Sequence, residues 1–256
     1  MTMSQSLEWD TVLVGTPEAP TIPGWDTARL GPLRGRTVRL PRTGERLTIV
    51  QPTDLDRLLD LAQGDPEEQL PYWAEIWPSG LALADAILSE PDQLGGRRVI
   101  ELGCGLGITA IAALRAGAEL LITDYSAEAL LLARWNCVQN VGRIPQARRF
   151  NWRRPESDFL TWARAPLPLV LAADILYERR DLDPLLRLLH SLVAPGGSLW
   201  LAEPGRRTAA VFVELLRAEG WRDDVAYWNG PWPEAGDATV RVAVHRLQRP
   251  PSVHGS

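Results

Sequence analysis

"VIELGCGLGITAIAAL", residues 99 to 114, runs from a short apolar stretch through three alternate glycines into small and branched residues at helical spacing. The stretch reads as a buried strand, a turn carrying Gly103, Gly105 and Gly107, and a helix that starts near Ile108. Such a turn lets the backbone approach a ligand closely and aims the free N–H groups of the helix's first turn at it. A strand feeding a glycine turn and then a helix is also the repeating unit of an open α/β sheet.

Outward from that unit the pattern repeats. "RVIEL", "ELLITD", "ARRFNW", "LPLVLAADIL" and "GSLWLAE" read as strands. Between them "ITAIAALRAG", "SAEALLLARWNCVQNV", "ESDFLTWARA" and "DLDPLLRLLHSLVAPGG" read as helices, and "RTAAVFVELLRAEG" follows as another. "WRDDVAYW" and "TVRVAVHRLQ" close the chain as two strands joined by a Pro/Gly loop. The expected fold class is α/β: a doubly wound, mostly parallel sheet of seven strands that ends in an antiparallel pair.

Upstream, "RTVRLPRTGERLTIVQP" alternates apolar and polar residues on both sides of "RTGE", a hairpin pattern, and Thr53 or Asp54 is placed to cap a short helix in "PTDLDRLLDLAQG". The expected organisation is a tail over 1–30, a hairpin and helix preface over 31–70, the main domain over 71–248 and a second tail over 249–256. "LQRPPSVHGS" at the C-terminus reads as frayed. Between preface and main domain lies "PYWAEIWPSG", residues 71 to 80. Helical pitch would put Trp73 and Trp77 on one face with Glu75 turned away, and Pro78 would end the run as a short turn.

The glycine spacing narrows the ligand. A dinucleotide loop needs its third glycine at 108, where Ile108 stands, and a phosphate-binding P-loop needs a lysine, of which the chain has none. An adenosyl ligand with an amino-acid end suits the loop, with Glu101 positioned to accept hydrogen bonds from an ammonium. Asp124, 21 positions after Gly103 at the tip of "ITDY" with Tyr125 beside it, can accept both hydroxyls of a ribose. Its alternative role, capping the next helix, is equally open to Ser126.

Composition bounds the partners. A chain of 256 residues with 45% hydrophobic content can bury a large core, and a net charge of -5 gives no basic field for a nucleic-acid backbone. No apolar run has membrane length, no leader pattern opens the chain, and two cysteines make no disulfide framework or metal set, so a cytoplasmic, monomeric protein with no metal, membrane or nucleic-acid partner is expected. All 27 basic residues are arginine.

Together these residues resemble the seven-strand S-adenosylmethionine-dependent methyltransferases, with "ELGCGLG" as the first motif and "TD" in the place of the ribose-binding acid. A narrower resemblance rests on "PYWAEIWPSG", "FNW", "LAADILY" and "AEPGR": these are similar to the methyltransferase-like protein-lysine methyltransferases, the group that includes the enzyme modifying the electron-transfer-flavoprotein β-subunit. That resemblance implies S-adenosyl-L-methionine as cofactor, released as S-adenosyl-L-homocysteine. It implies a pocket lined by Trp77, by Gly103, Cys104 and Gly105 along the methionine part, by Asp124 at the ribose, by Trp152 beside the adenine and by the backbone of Ala173. Asn151 is placed to meet the adenine edge. The group's Asp-x-x-Tyr motif is Asp174-Ile-Leu-Tyr177 here. The flavoprotein-modifying enzymes carry Asp-Pro-Gly-Arg where this chain has Glu203-Pro204-Gly205-Arg206.

Methyl transfer to an amine needs a neutral nucleophile held in line, so positioning is the main task. Asp174 is placed to hold and orient an incoming ammonium, Tyr177 to add an aromatic face or a hydroxyl, and Glu75 and Glu203 to add charge. His190, His245 and His254 read as structural. The implied acceptor is a lysine of a protein substrate. A small amine is the alternative, and a cofactor-binding module without catalysis is another. An enzyme with no lysine cannot methylate its own lysine side chains.

Overall fold

The computed structural model describes residues 11–12 and 28–252. Most of the tail expected over 1–30 lies outside them, as do residues 253–256 with His254.

A seven-stranded sheet forms the centre. Its strands are β4 (Arg98–Leu102), β5 (Glu119–Asp124), β6 (Gln146–Arg149), β7 (Leu167–Ala173), β8 (Val193–Glu203), β9 (Arg222–Trp228) and β10 (Val242–Gln248), in the order β6-β5-β4-β7-β8-β10-β9. Strands β6 to β8 along that order pair in parallel, while β10 runs antiparallel to both β8 and β9. The order reverses direction at β4, between β5 and β7, and the carboxyl ends beside such a switch point open a crevice. The expected sheet is therefore present, with its antiparallel end.

Helices cover both faces. On one side α2 (Pro78–Ser89), α3 (Ile108–Arg115) and α4 (Ala127–Val141) bury Leu81, Ile87, Ile111 and Leu132 against the sheet. On the other, α5 (Phe159–Ala163), α6 (Leu182–Leu192) and α7 (Arg207–Ala218) bury Phe159, Leu189 and Phe212. The preface is a three-stranded antiparallel sheet of β1 (Thr11–Val12), β2 (Leu33–Arg39) and β3 (Arg46–Pro52), followed by α1 (Leu55–Ala62), whose N-cap is Asp54. It is bolted to the main domain: the buried Asn136 amide of α4 donates to the carbonyls of Val50 and Leu106 and accepts from the Val50 N–H. A buried amide satisfied on every side fixes register as well as contact.

Several sequence expectations change. Helix α2 was not foreseen, because nine of its twelve residues are buried and such a helix has no polar face to reveal its period. Pro78 begins this helix at its first position instead of ending a run, since that site needs no N–H. Trp73 and Trp77 do not share a helical face: Trp73 sits in a single 3-10 turn, Tyr72–Ala74, and Trp77 is the extended residue before α2. "FNW" lies beyond β6, β8 begins at Val193 within the segment read as helix, and β10 keeps Leu247 and Gln248 out of the frayed end. Thr11–Val12 pairs with β2 as an edge strand inside the segment read as tail. Among the described residues no helix is long and apolar enough to cross a membrane.

Candidate active site

At the switch point the carboxyl ends of β4, β5, β6 and β7 surround a cavity of about 1260 Å³. Gly103 and Gly105 form its floor with φ of 66° and 50°, a left-handed backbone that favours glycine. A Cβ on Gly103 would stand 2.7 Å from Ile175 Cγ2, closer than side chains pack, and one on Gly105 would stand a tight 3.3 Å from the Trp73 carbonyl. Gly107 is a glycine for a different reason. Its missing Cβ would lie 2.8 Å from the Ala133 Cα, and the residue is the left-handed N-cap of α3, away from the cavity lining.

Asp124 ends β5 inside the cavity. Its Oδ2 accepts from Gly105 N and its Oδ1 from Ser126 N, both at 2.9 Å, while Ser126 caps α4. The carboxylate therefore braces the glycine turn without serving as the helix cap. Burial raises its pKa to about 6 against these backbone donors, which act to lower it.

Glu101 and Cys104 do not line the cavity, contrary to the sequence expectation. Glu101 is only 2% exposed, with its Oε2 unpartnered, and burial beside Asp124 pushes its pKa well up. The Glu101 carboxyl is instead hydrogen-bonded to Thr109 in the first turn of α3. Cys104 is likewise buried, and burial raises its thiol pKa.

The remaining wall is aromatic and acidic. Trp77, Tyr125, Trp152, Ala173, Asp174 and Tyr177 all line the cavity, as does Asn151. Tyr72 packs edge to face on Tyr177 at 5.6 Å and on Trp77 at 6.2 Å, and the Trp77 indole donates to the Tyr72 carbonyl at 2.8 Å. The Tyr177 hydroxyl donates to Gln69 Oε1 at 2.8 Å, and burial, with Asp181 and Asp124 nearby, pushes its pKa up. It is thus a donor and no base.

Asp174 follows β7 directly and carries a φ of 55°, an uncommon value for a non-glycine residue. Its N–H donates to the Ala202 carbonyl at 2.9 Å; Oδ1 accepts from Arg206 Nε at 2.6 Å, and Ser79 Oγ lies 3.4 Å from Oδ2. Glu203 points elsewhere and caps the next turn, its Oε2 accepting from Gly205 N and Arg206 N. Glu75 is exposed and outside the lining, where partial burial and the Glu234 carboxylate raise its pKa, so it cannot act beside Asp174.

Sequence reasoning missed a strap. Residues 63–70 line the cavity and are tied to side chains that follow β5, β6 and β7. The Tyr125 hydroxyl donates to Asp65, Asn151 Nδ2 donates to Glu67 Oε1 at 2.9 Å, and Arg180 donates to the Glu67 carbonyl at 2.6 Å. Arg153 bridges Glu67 and, through two nitrogens, Asp181, while Trp152 Nε1 donates to Asp181 Oδ1 at 2.7 Å. The Asn151 amide, expected at an adenine edge, is thus committed at both ends, since its Oδ1 accepts from Arg153 N. The one sequence hint was "DPEEQ", whose carboxylates precede no apolar face that would keep them on a solvated helix.

A central sheet of this order with a glycine turn and an acid at the next strand tip defines a methyltransferase-type α/β fold. Solved structures agree on the fold: magnesium protoporphyrin IX methyltransferase of Synechocystis PCC 6803 aligns with a TM-score of 0.52 at 15% identity, over 76% of this chain and 97% of that one. The lysine methyltransferase family model matches residues 67–218, and the chain belongs to that family. Among curated relatives, the electron transfer flavoprotein beta subunit lysine methyltransferase of Danio rerio is 34% identical over 139 residues, 53% of this chain and 51% of that one. EEF1A lysine methyltransferase 3 of Mus musculus is 34% identical over 71% of this chain and 76% of its own length. The chain spans about half the length of the flavoprotein-modifying relatives it matches.

Proposed function

We propose that this chain transfers a methyl group from S-adenosylmethionine to the side-chain amine of a lysine in a protein substrate. The observation that carries this reading is the placement of Asp174, strained and 7% exposed, on the same cavity as the Gly103–Gly105 turn. Membership of the lysine methyltransferase family and the names of the relatives support the acceptor class.

The residues present fit the cofactor. Two glycines leave backbone bare at the floor, an acid with free lone pairs stands at the strand tip, and the Trp152 ring edge would approach within 3.8 Å of a Cβ at Gly103. On this reading Asp124 accepts the ribose hydroxyls, Gly103 and Gly105 border the amino-acid end, and Trp77, Tyr125, Trp152 and Ala173 line the rest. When bound, S-adenosylmethionine supplies an electrophilic methyl on a cationic sulfur. The protein's own share is positional. Asp174 draws in the acceptor ammonium, whose proton leaves to water so that the nitrogen lone pair is free, and Tyr72, Trp77 and Tyr177 wall the approach with π faces that favour a cation. The buried thiols Cys104 and Cys137 support a reducing, cytoplasmic setting, and the chain is read as a monomer.

Tritiated cofactor incubated with a lysate and separated on a gel tests the reading. A labelled protein band is expected. Label confined to small molecules would instead favour a small-amine acceptor, and cofactor binding without any turnover would favour a module that only senses the cofactor.

A further inference from the structure

Arg206 is the charged neighbour that the proposed acceptor must meet. Its Nε lies 2.6 Å from Asp174 Oδ1, and its side chain is 36% exposed and lines the same cavity. The guanidinium does not reach Asp174 by chance of a loose surface rotamer. The turn that carries it is capped by Glu203, which accepts from the N–H groups of both Gly205 and Arg206 at 2.7 and 2.9 Å. Glu203 is itself held from behind: His245 Nε2 of β10 stands 3.8 Å from its Oε1, while His245 Nδ1 pairs with Asp223 Oδ2 of β9 at 2.8 Å, and Arg217 of α7 binds the same oxygen. A chain of paired groups thus runs from the antiparallel edge of the sheet to the acceptor side of the cavity.

The charge at the far end of that chain has a chemical consequence. A lone carboxylate would attract an acceptor ammonium and then hold it charged, because a negative neighbour favours the protonated amine, which has no lone pair to react. A cation on the same carboxylate counters this. It takes one oxygen, leaves the other, near Ser79 Oγ, for the incoming nitrogen, and makes a second positive charge there unfavourable.

Resting on the function proposed above, we infer that Arg206 is a positioning residue that fixes Asp174 and biases an acceptor amine held there toward its neutral, nucleophilic form. The other charged or titratable groups facing this pair are Glu203 from β8, Tyr177 beyond β7 and Asp237 from the β9–β10 segment, with His245 one step behind Glu203. Of these only Arg206 is a cation in contact with Asp174, so removing it leaves an unopposed carboxylate at the acceptor position.

Arg206→Gln and Arg206→Lys, compared with the native chain in tritiated cofactor and a dialysed lysate, test the inference through the pH profile of initial label incorporation into protein. For Arg206→Gln the acidic limb should move upward by about one pH unit, about a tenfold loss of rate at a fixed pH on that limb, with cofactor affinity by calorimetry unchanged. Arg206→Lys keeps the cation and should restore most of the native profile. Coincident profiles for Arg206→Gln and the native chain would overturn the inference, as would an Arg206→Lys profile displaced as far as that of Arg206→Gln, which would mark lost shape and not lost charge. No protein labelling by the native chain would overturn the proposed function and this inference with it.

Discussion

Glu67 accepts a hydrogen bond from Asn151 Nδ2 at 2.9 Å within the cavity lining, joining the strap at 63–70 to the segment that carries Trp152. Glu67 is 6% exposed and also meets Arg153, and the Asn151 bond holds its carboxyl below the usual range. A segment fastened by buried charge is costly to half undo, because Arg153 would keep its charge with one partner fewer. Glu67→Ala should therefore lower stability by about 1–3 kcal/mol and speed cofactor release on the order of tenfold. Thermal unfolding and stopped-flow release of the bound cofactor would measure the two effects separately.

Asp124 makes cofactor affinity depend on pH. Its pKa in the folded chain is raised from 3.8 to about 6 by burial. Between those two values the folded chain holds a proton that the unfolded chain has lost, so the stability contributed by Asp124 is greatest below pH 3.8 and falls as pH rises toward 6. On the proposed function ligand binding runs the other way, because only the ionised carboxylate would accept from both ribose hydroxyls. Calorimetric affinity for S-adenosylmethionine should be flat above about pH 6 and weaken below it, approaching tenfold per pH unit, and Asp124→Asn should bind weakly at every pH.

The sequence carried the sheet and the cavity floor because those features depend on local pattern. Strand β4, the glycine turn and β5 are each set by neighbours along the chain, and Asp124 follows from the spacing between them. What escaped was set by contacts distant in sequence. Helix α2 is buried by both the sheet and α3, so its composition is uniform and its period silent. The strap is held by partners 60 to 113 residues away, and Arg206 meets Asp174 across 32. Glu101 and Glu75 fit the chemistry by residue type, yet the first is buried against Thr109 of α3 and the second lies exposed outside the cavity lining. Side-chain direction was the missing variable.

Two glycines four residues apart should separate site from scaffold. Gly103→Ala places a Cβ 2.7 Å from the Cγ2 methyl of the buried Ile175 on the cavity floor, whereas Gly107→Ala places one 2.8 Å from the backbone of α4 at Ala133. The Ile175 methyl can give way only by moving that one side chain, at a cost, whereas the backbone of α4 can give way only by moving the packed helix. Both substitutions also force a non-glycine residue to positive φ, at a cost of about 1 kcal/mol. Gly103→Ala should thus lose less stability than Gly107→Ala and bind cofactor poorly, while Gly107→Ala should lose several kcal/mol, roughly 3 or more, before binding is considered. Denaturant unfolding and calorimetry on the two variants would show the contrast.

Asp174 offers the sharpest division between binding and transfer. Its φ of 55° is tolerated by asparagine better than by most residues, so Asp174→Asn keeps the backbone and shape while removing the charge. The N–H bond to Ala202 and the approach of Ser79 survive that change, but the ion pair with Arg206 does not. Methyl transfer should fall on the order of a hundredfold or more, with cofactor affinity within about twofold of native, since the cofactor-side residues are untouched. Asp174→Ala should show the same loss of transfer and a further drop of about 1 kcal/mol in stability from alanine held at positive φ. Single-turnover transfer with labelled cofactor, set beside calorimetry and thermal unfolding, would read all three quantities; a cofactor affinity that fell together with the transfer rate would place Asp174 on the cofactor instead of the acceptor.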